Sequence, residues 1–111
     1  MKQAASTENL VARCEDVKAL IDQLAVWNAE ANHPLFGRAN LDRIGMSGHS
    51  FGAHTTQAVA GQNFPLVGQK FLDKRIDAAI AYSPSSPAVG NKATTFGKVS
   101  VPWMLMTGTN D

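Results

Sequence analysis

Between Ser6 and Ala31, apolar residues recur at three- and four-residue steps: Leu10, Cys14, Val17, Leu20, Ile21, Leu24 and Trp27. This spacing predicts one amphipathic helix with a single apolar stripe. Ser6 or Thr7 suits the cap position, and Glu8 suits the positive end of the helix dipole. Asn32-His33-Pro34 stops the helix, because proline disfavours helical backbone at the residue before it. The period then changes. Leu41–Ser47 reads as a strand, Gly48–Gly52 as a turn, and Phe51–Ala60 as a short helix of small residues that Gly61 ends. Asn63–Lys74 reads as loop with at most one helical turn. Ile76–Tyr82 is apolar on both faces after Asp77, the pattern of a strand covered by helices on either side. Ser83–Lys98 reads as loop, Val101–Thr107 as a third strand with Pro102 at its entry, and 108–111 as the start of a loop. Alternating helix and strand predicts an α/β arrangement on a parallel sheet, with the three strands side by side in chain order.

Composition narrows the function. The 111 residues make one small domain at most, or a piece of a larger one. Hydrophobic residues reach 44% and charged ones only 17%, which argues against disorder. A net charge of +1 with no basic run excludes an electrostatic grip on nucleic acid. Cys14 is the single cysteine, so no disulfide scaffold exists. Ile44 to Gln69 carries no charge, but its serines, histidines, threonines and glutamines bar it from a bilayer, so no transmembrane segment is expected. Met1–Leu10 lacks the apolar core of a signal peptide. The compartment is not legible.

The chemistry concentrates at Gly48-His49-Ser50-Phe51-Gly52, between the first strand and the second helix. A Gly-x-Ser-x-Gly match arises by chance in roughly 4% of chains this long, and the flanking elements narrow that further. A serine on so sharp a strand-to-helix turn has strained backbone angles and projects its hydroxyl clear of the sheet. Gly48 and Gly52 leave room for the close approach, and the Phe51 N–H at the helix N-terminus is suited to a developing oxyanion. The bland alternative is a tight turn with a helix-capping serine. Asp111 follows the third strand, where an acid that orients a histidine belongs; alone it would read as a turn residue. His33 lies at the opposite edge of the sheet, about 20 Å from Ser50 for a six-residue strand. His49 and His54 read as local packing residues, and Cys14 as a buried small side chain. Trp103 and Tyr82 read as core or pocket wall. Ser83, Ser85 and Ser86 read as loop polarity.

The sequence resembles the central part of a serine α/β-hydrolase, closest to the dienelactone-hydrolase-like and platelet-activating-factor-acetylhydrolase-like esterases. Four pieces carry the likeness: Arg13-x-x-Asp16-Val17 with Leu24, the run from Asp42 to Ala53, Ile76–Ile80, and Val101–Asp111. Ser50 stands where dienelactone hydrolases proper carry cysteine, which points to the esterase side. The resemblance implies a partial α/β-hydrolase fold: strands five, six and seven of the eight-stranded parallel sheet, flanking helices, an incomplete domain. It implies catalytic Ser50 and Asp111, an oxyanion donor at Phe51, and no metal or organic cofactor. In that family the histidine follows the acid, yet all three histidines here precede Asp111.

The expectation is therefore a carboxylic-ester hydrolase working through an acyl-enzyme on a small-molecule or lipid-like ester. The 111 residues alone are expected to be inactive, and their exposed sheet edges to favour self-association. The alternatives are a peptidase or thioesterase on the same scaffold, and a non-catalytic fragment or binding module.

Overall fold

A computed structural model describes residues 6–84 and 92–108. Its elements are α1 (Thr7–Ala29), β1 (Ile44–His49), α2 (Phe51–Ala60), β2 (Ile76–Tyr82), α3 (Lys92–Phe96) and β3 (Trp103–Met106). The three strands form one parallel sheet in the order β1-β2-β3. This is a small α/β arrangement with helices flanking a parallel sheet.

α1 begins where its cap dictates: Ser6 Oγ accepts the Asn9 N–H at 3.2 Å. Along its stripe Cys14 and Ile21 are buried, while Leu20 is exposed and falls off the stripe. The helix packs on α2, and Cys14, Ile21, Ala58, Val59, Phe71 and Ile76 form the core. α2 is buried over most of its length, from Thr55 to Ala60. Its small residues bring its axis close to the strands, and Thr55 and Thr56 spend their hydroxyls on the Phe51 and Gly52 carbonyls. Gly61, at φ 127°, ends the helix.

β1 starts three residues later than its apolar pattern suggests. Asn40 accepts the Asp42 N–H with its side chain and the Arg43 N–H with its carbonyl. That Asx turn holds Leu41–Arg43 out of the sheet. At the other end, Gly48 and His49 belong to the strand, not to a turn. The third strand is shorter than 101–107, and a short helix, α3, interrupts the stretch read as loop. The segment 63–74 holds turns and one Phe64–Gly68 bridge but no helix. β2 matches its expected bounds, with a bulge at Asp77: Ile44 pairs Ile76 and Gly45 pairs Ala78. The skipped Asp77 accepts the Ile44 N–H with its carboxylate at 2.8 Å.

The sheet is covered on one face only among the described residues. α2 lies over Met46, Gly48, Ala79 and Ala81, and Phe96 of α3 packs on Trp103. On the other face Ser47, Ile80 and Met104 share one register level, and His49, Tyr82 and Met106 the next. Met104 and Met106 are 54% and 47% exposed there. The two-sided covering expected of β2 is thus not present among these residues. Its apolarity on both faces outlasts its cover.

One polar cluster ties α1 to the loop before β2. The Arg75 guanidinium bonds both carboxylate oxygens of Asp73, at 3.0 and 2.7 Å, and also reaches Asp22 and the Lys18 carbonyl. Asp73 is buried, and the hydrogen bonds from Arg75 hold its carboxyl below the usual carboxylate range. A carboxyl whose folded value is depressed contributes stability that is complete above its unfolded value and is lost as pH falls through the folded one. Arg75→Met is expected to cost about 2 kcal/mol at neutral pH, and to flatten the fall in unfolding free energy below about pH 4. Urea titrations across that range read both effects. An unchanged acid slope would contradict the assignment.

Candidate active site

The end of β1 and the start of α2 are joined by one residue, Ser50, at φ 57° and ψ −115°. That conformation belongs to glycine at the first central position of a type II′ turn, and a side chain there costs about 1–3 kcal/mol of strain. Hydrogen bonds on both sides hold it. Ser50 N–H donates to the Tyr82 carbonyl at 3.0 Å, extending the β1–β2 ladder by one rung. The Ser50 carbonyl accepts from Ala53 at 3.0 Å and His54 at 3.3 Å, opening α2. The serine hydroxyl makes no capping hydrogen bond to the helix. Ser50 is exposed at the C-terminal edge of the sheet. The helix-capping alternative thus fails on geometry: the backbone is strained and the hydroxyl is spare.

The two elbow glycines play unequal parts. A Cβ on Gly48 would overlap the Gly52 carbonyl and come within 2.8 Å of Thr56 Oγ1. A Cβ on Gly52 would meet nothing within 4 Å. The close contact expected at both residues exists only at Gly48, because Gly52 brings its carbonyl, not its α-carbon hydrogens, against the strand. Beside Gly52 lies a hollow of about 210 Å³ lined by Arg13, Asp16, Val17, Met46, Ser47 and Thr55.

Phe51 is the first residue of α2. Its N–H and that of Gly52 stand ahead of the first helical turn and have no acceptor within the helix. Two side chains lie against the Phe51 ring. The Arg13 guanidinium sits 4.5 Å from its centroid, and the His54 ring is tilted against it at 6.3 Å.

None of the three histidines hydrogen-bonds Ser50. His33 lies in the segment leading into β1, at the far edge of the sheet. It stacks on Trp27 at 4.9 Å and accepts the Leu35 N–H through Nδ1. His49 ends β1 on the uncovered face beside Tyr82. His54 faces a hollow shared with Ser6, Thr7, Leu10 and Phe51. Asp111, the expected acid, lies outside the described residues, as do Ser85 and Ser86. The strand that precedes Asp111 does end at the same sheet edge as Ser50, where the Met106 carbonyl accepts the Ser83 N–H at 2.6 Å. Trp103 packs under α3, and Tyr82 stands on the open face. Cys14 is buried, and burial pushes its thiol up to about 11, so it is neither a nucleophile nor a ready metal ligand.

Among the described residues, no cluster of three or more histidine, cysteine or acidic side chains is arranged to hold a metal, and no helix is long and apolar enough to cross a membrane. No protein-family model matches the chain, and no curated protein matches it either.

The glycine asymmetry has a direct consequence. Gly48→Ala is expected to destabilise the fold by about 3 kcal/mol, the range of an overpacked core, whereas Gly52→Ala should change stability by less than about 1 kcal/mol. Thermal unfolding of the two variants separates them. Equal losses would mean that the approach of strand and helix is looser than the geometry requires.

Proposed function

We propose that the chain carries the nucleophile segment of a serine α/β-hydrolase that cleaves carboxylic esters. In this reading β1, β2 and β3 are strands five to seven of the hydrolase sheet, and the open face and the free edge of β1 are where the rest of the domain packs. Left uncovered, those surfaces favour strand-mediated self-association. The observation that carries the reading is Ser50. It is held in a glycine-type conformation between a parallel strand and a helix, with its hydroxyl unused by the fold.

The chemistry follows from that placement. The Ser50 hydroxyl attacks the ester carbonyl and passes its proton to a base. The carbonyl oxygen becomes an oxyanion that accepts the Phe51 N–H. Collapse expels the alcohol, which takes the proton, and leaves Ser50 acylated; water then repeats the sequence and releases the acid. In this reading the base is a histidine that follows Asp111 in the chain, since His33, His49 and His54 all precede it and none hydrogen-bonds Ser50. Asp111 orients that histidine. The substrate class is a small or lipid-like ester, and no cofactor enters the scheme.

Losing the base costs about 10²–10⁴-fold. The 111 residues alone should therefore turn over p-nitrophenyl esters barely above background. The chain expressed with its natural flanking sequence should turn them over, and Ser50→Ala should abolish that turnover. Persistence of activity in Ser50→Ala would sink the proposal. Robust turnover by the 111 residues, lost on changing His49 or His54, would show the base to be misplaced.

A further inference from the structure

We infer that Arg13 is a positioning residue for the oxyanion site, acting through the ring of Phe51; this rests on the esterase reading above. The Phe51 side chain is one handle the fold has on the residue whose N–H must meet the oxyanion, beside the Thr55 hydroxyl bonded to its carbonyl. Its neighbour Ser50 is strained, and Gly52 has no side chain, so neither stiffens the segment by packing. Phe51 is only half-buried, and the core cluster does not include it. What holds its ring is the Arg13 guanidinium at 4.5 Å on one hand and His54 on the other.

Arg13 is free to serve this role. It is an exposed residue in the second turn of α1, and no carboxylate pairs with it among the described residues. Asp16, three residues on, lines the same hollow without forming an ion pair. The cation is therefore spent on the aromatic face, where the ring quadrupole attracts it. Arg13 thus couples α1, whose Ser6, Thr7 and Leu10 border Phe51 and His54, to the geometry of the elbow.

The consequence falls on the transition state rather than on substrate binding, because only the tetrahedral species places an oxyanion at that N–H. In the ester-hydrolysing protein, Arg13→Met should lower kcat about fivefold with KM unchanged. It should weaken binding of a long-chain alkyl trifluoromethyl ketone, which adds to the serine as a tetrahedral oxyanion, by the same factor. Arg13→Lys, which keeps a cation, should recover part of the loss. Phe51→Leu should lower kcat too, and in that background Arg13→Met should have no further effect. Thermal unfolding of each variant confirms that the fold is retained. If Arg13→Met leaves kcat and ketone affinity unchanged, or raises KM alone, or adds its full effect to Phe51→Leu, Arg13 does not act through Phe51. Those outcomes leave the role of Ser50 intact, whereas activity surviving Ser50→Ala removes the reading on which the inference stands.

Discussion

The contact between Gly48 and the Gly52 carbonyl is the constraint from which the rest of the site descends. A strand and a helix can meet this closely only if the strand residue has no side chain, and Gly48 supplies that. Closing the turn within one residue then forces Ser50 out of the conformations open to ordinary residues. The strain is held by the Ser50 N–H, which donates to the Tyr82 carbonyl, and by the Ser50 carbonyl, which accepts from the first turn of α2, so the backbone is fixed from both sides while the hydroxyl is left over. A structural serine would have used that hydroxyl to cap the helix. Here the first N–H groups of α2 are left without a side-chain cap at the sheet edge.

Packing makes this arrangement affordable. α2 buries alanines, threonines and one valine together with Gln57, and the small residues let it sit low on the strands. α1 is set against it by Cys14 and Ile21, and Arg75 fastens α1 to the loop that enters β2 by gathering Asp73, Asp22 and the Lys18 carbonyl. The polar hub lies at the N-terminal side of β2 and the elbow at the C-terminal side of β1. The order of the sheet is thus secured away from the residues that carry chemistry. Among the described residues the sheet is covered on one face, and Tyr82, Met104 and Met106 stay exposed on the other.

Much of this was legible in the residues, and the gaps have particular causes. The parallel order, the bounds of β2 and α2, a cap at Ser6 or its neighbour Thr7, and the sharp turn at Ser50 followed from periodicity and from the spacing of two glycines. The start of β1 did not, because Leu41 has the apolar character of a strand residue while the Asn40 side chain captures the backbone locally. The Asp77 bulge and the Arg75 hub were not legible. They depend on partners 33 and 53 residues away, which no local pattern encodes. The inequality of Gly48 and Gly52 was hidden for a similar reason: the motif treats them alike, but only the three-dimensional path shows whose carbonyl meets whose α-carbon. Arg13 entered only as part of Arg13-x-x-Asp16-Val17, and nothing local marked its contact, since its partner is an aromatic face 38 residues on.

The central claim is that Ser50 is strained and structurally idle, and equilibrium unfolding of Ser50→Gly and Ser50→Ala tests it most directly. Glycine relieves the positive φ and no capping bond is lost, so Ser50→Gly should be more stable than the parent by about 1 kcal/mol, with Ser50→Ala close to the parent. A capping serine would give the opposite pattern, with Ser50→Ala losing about 1 kcal/mol and glycine gaining nothing. That second pattern would contradict the account.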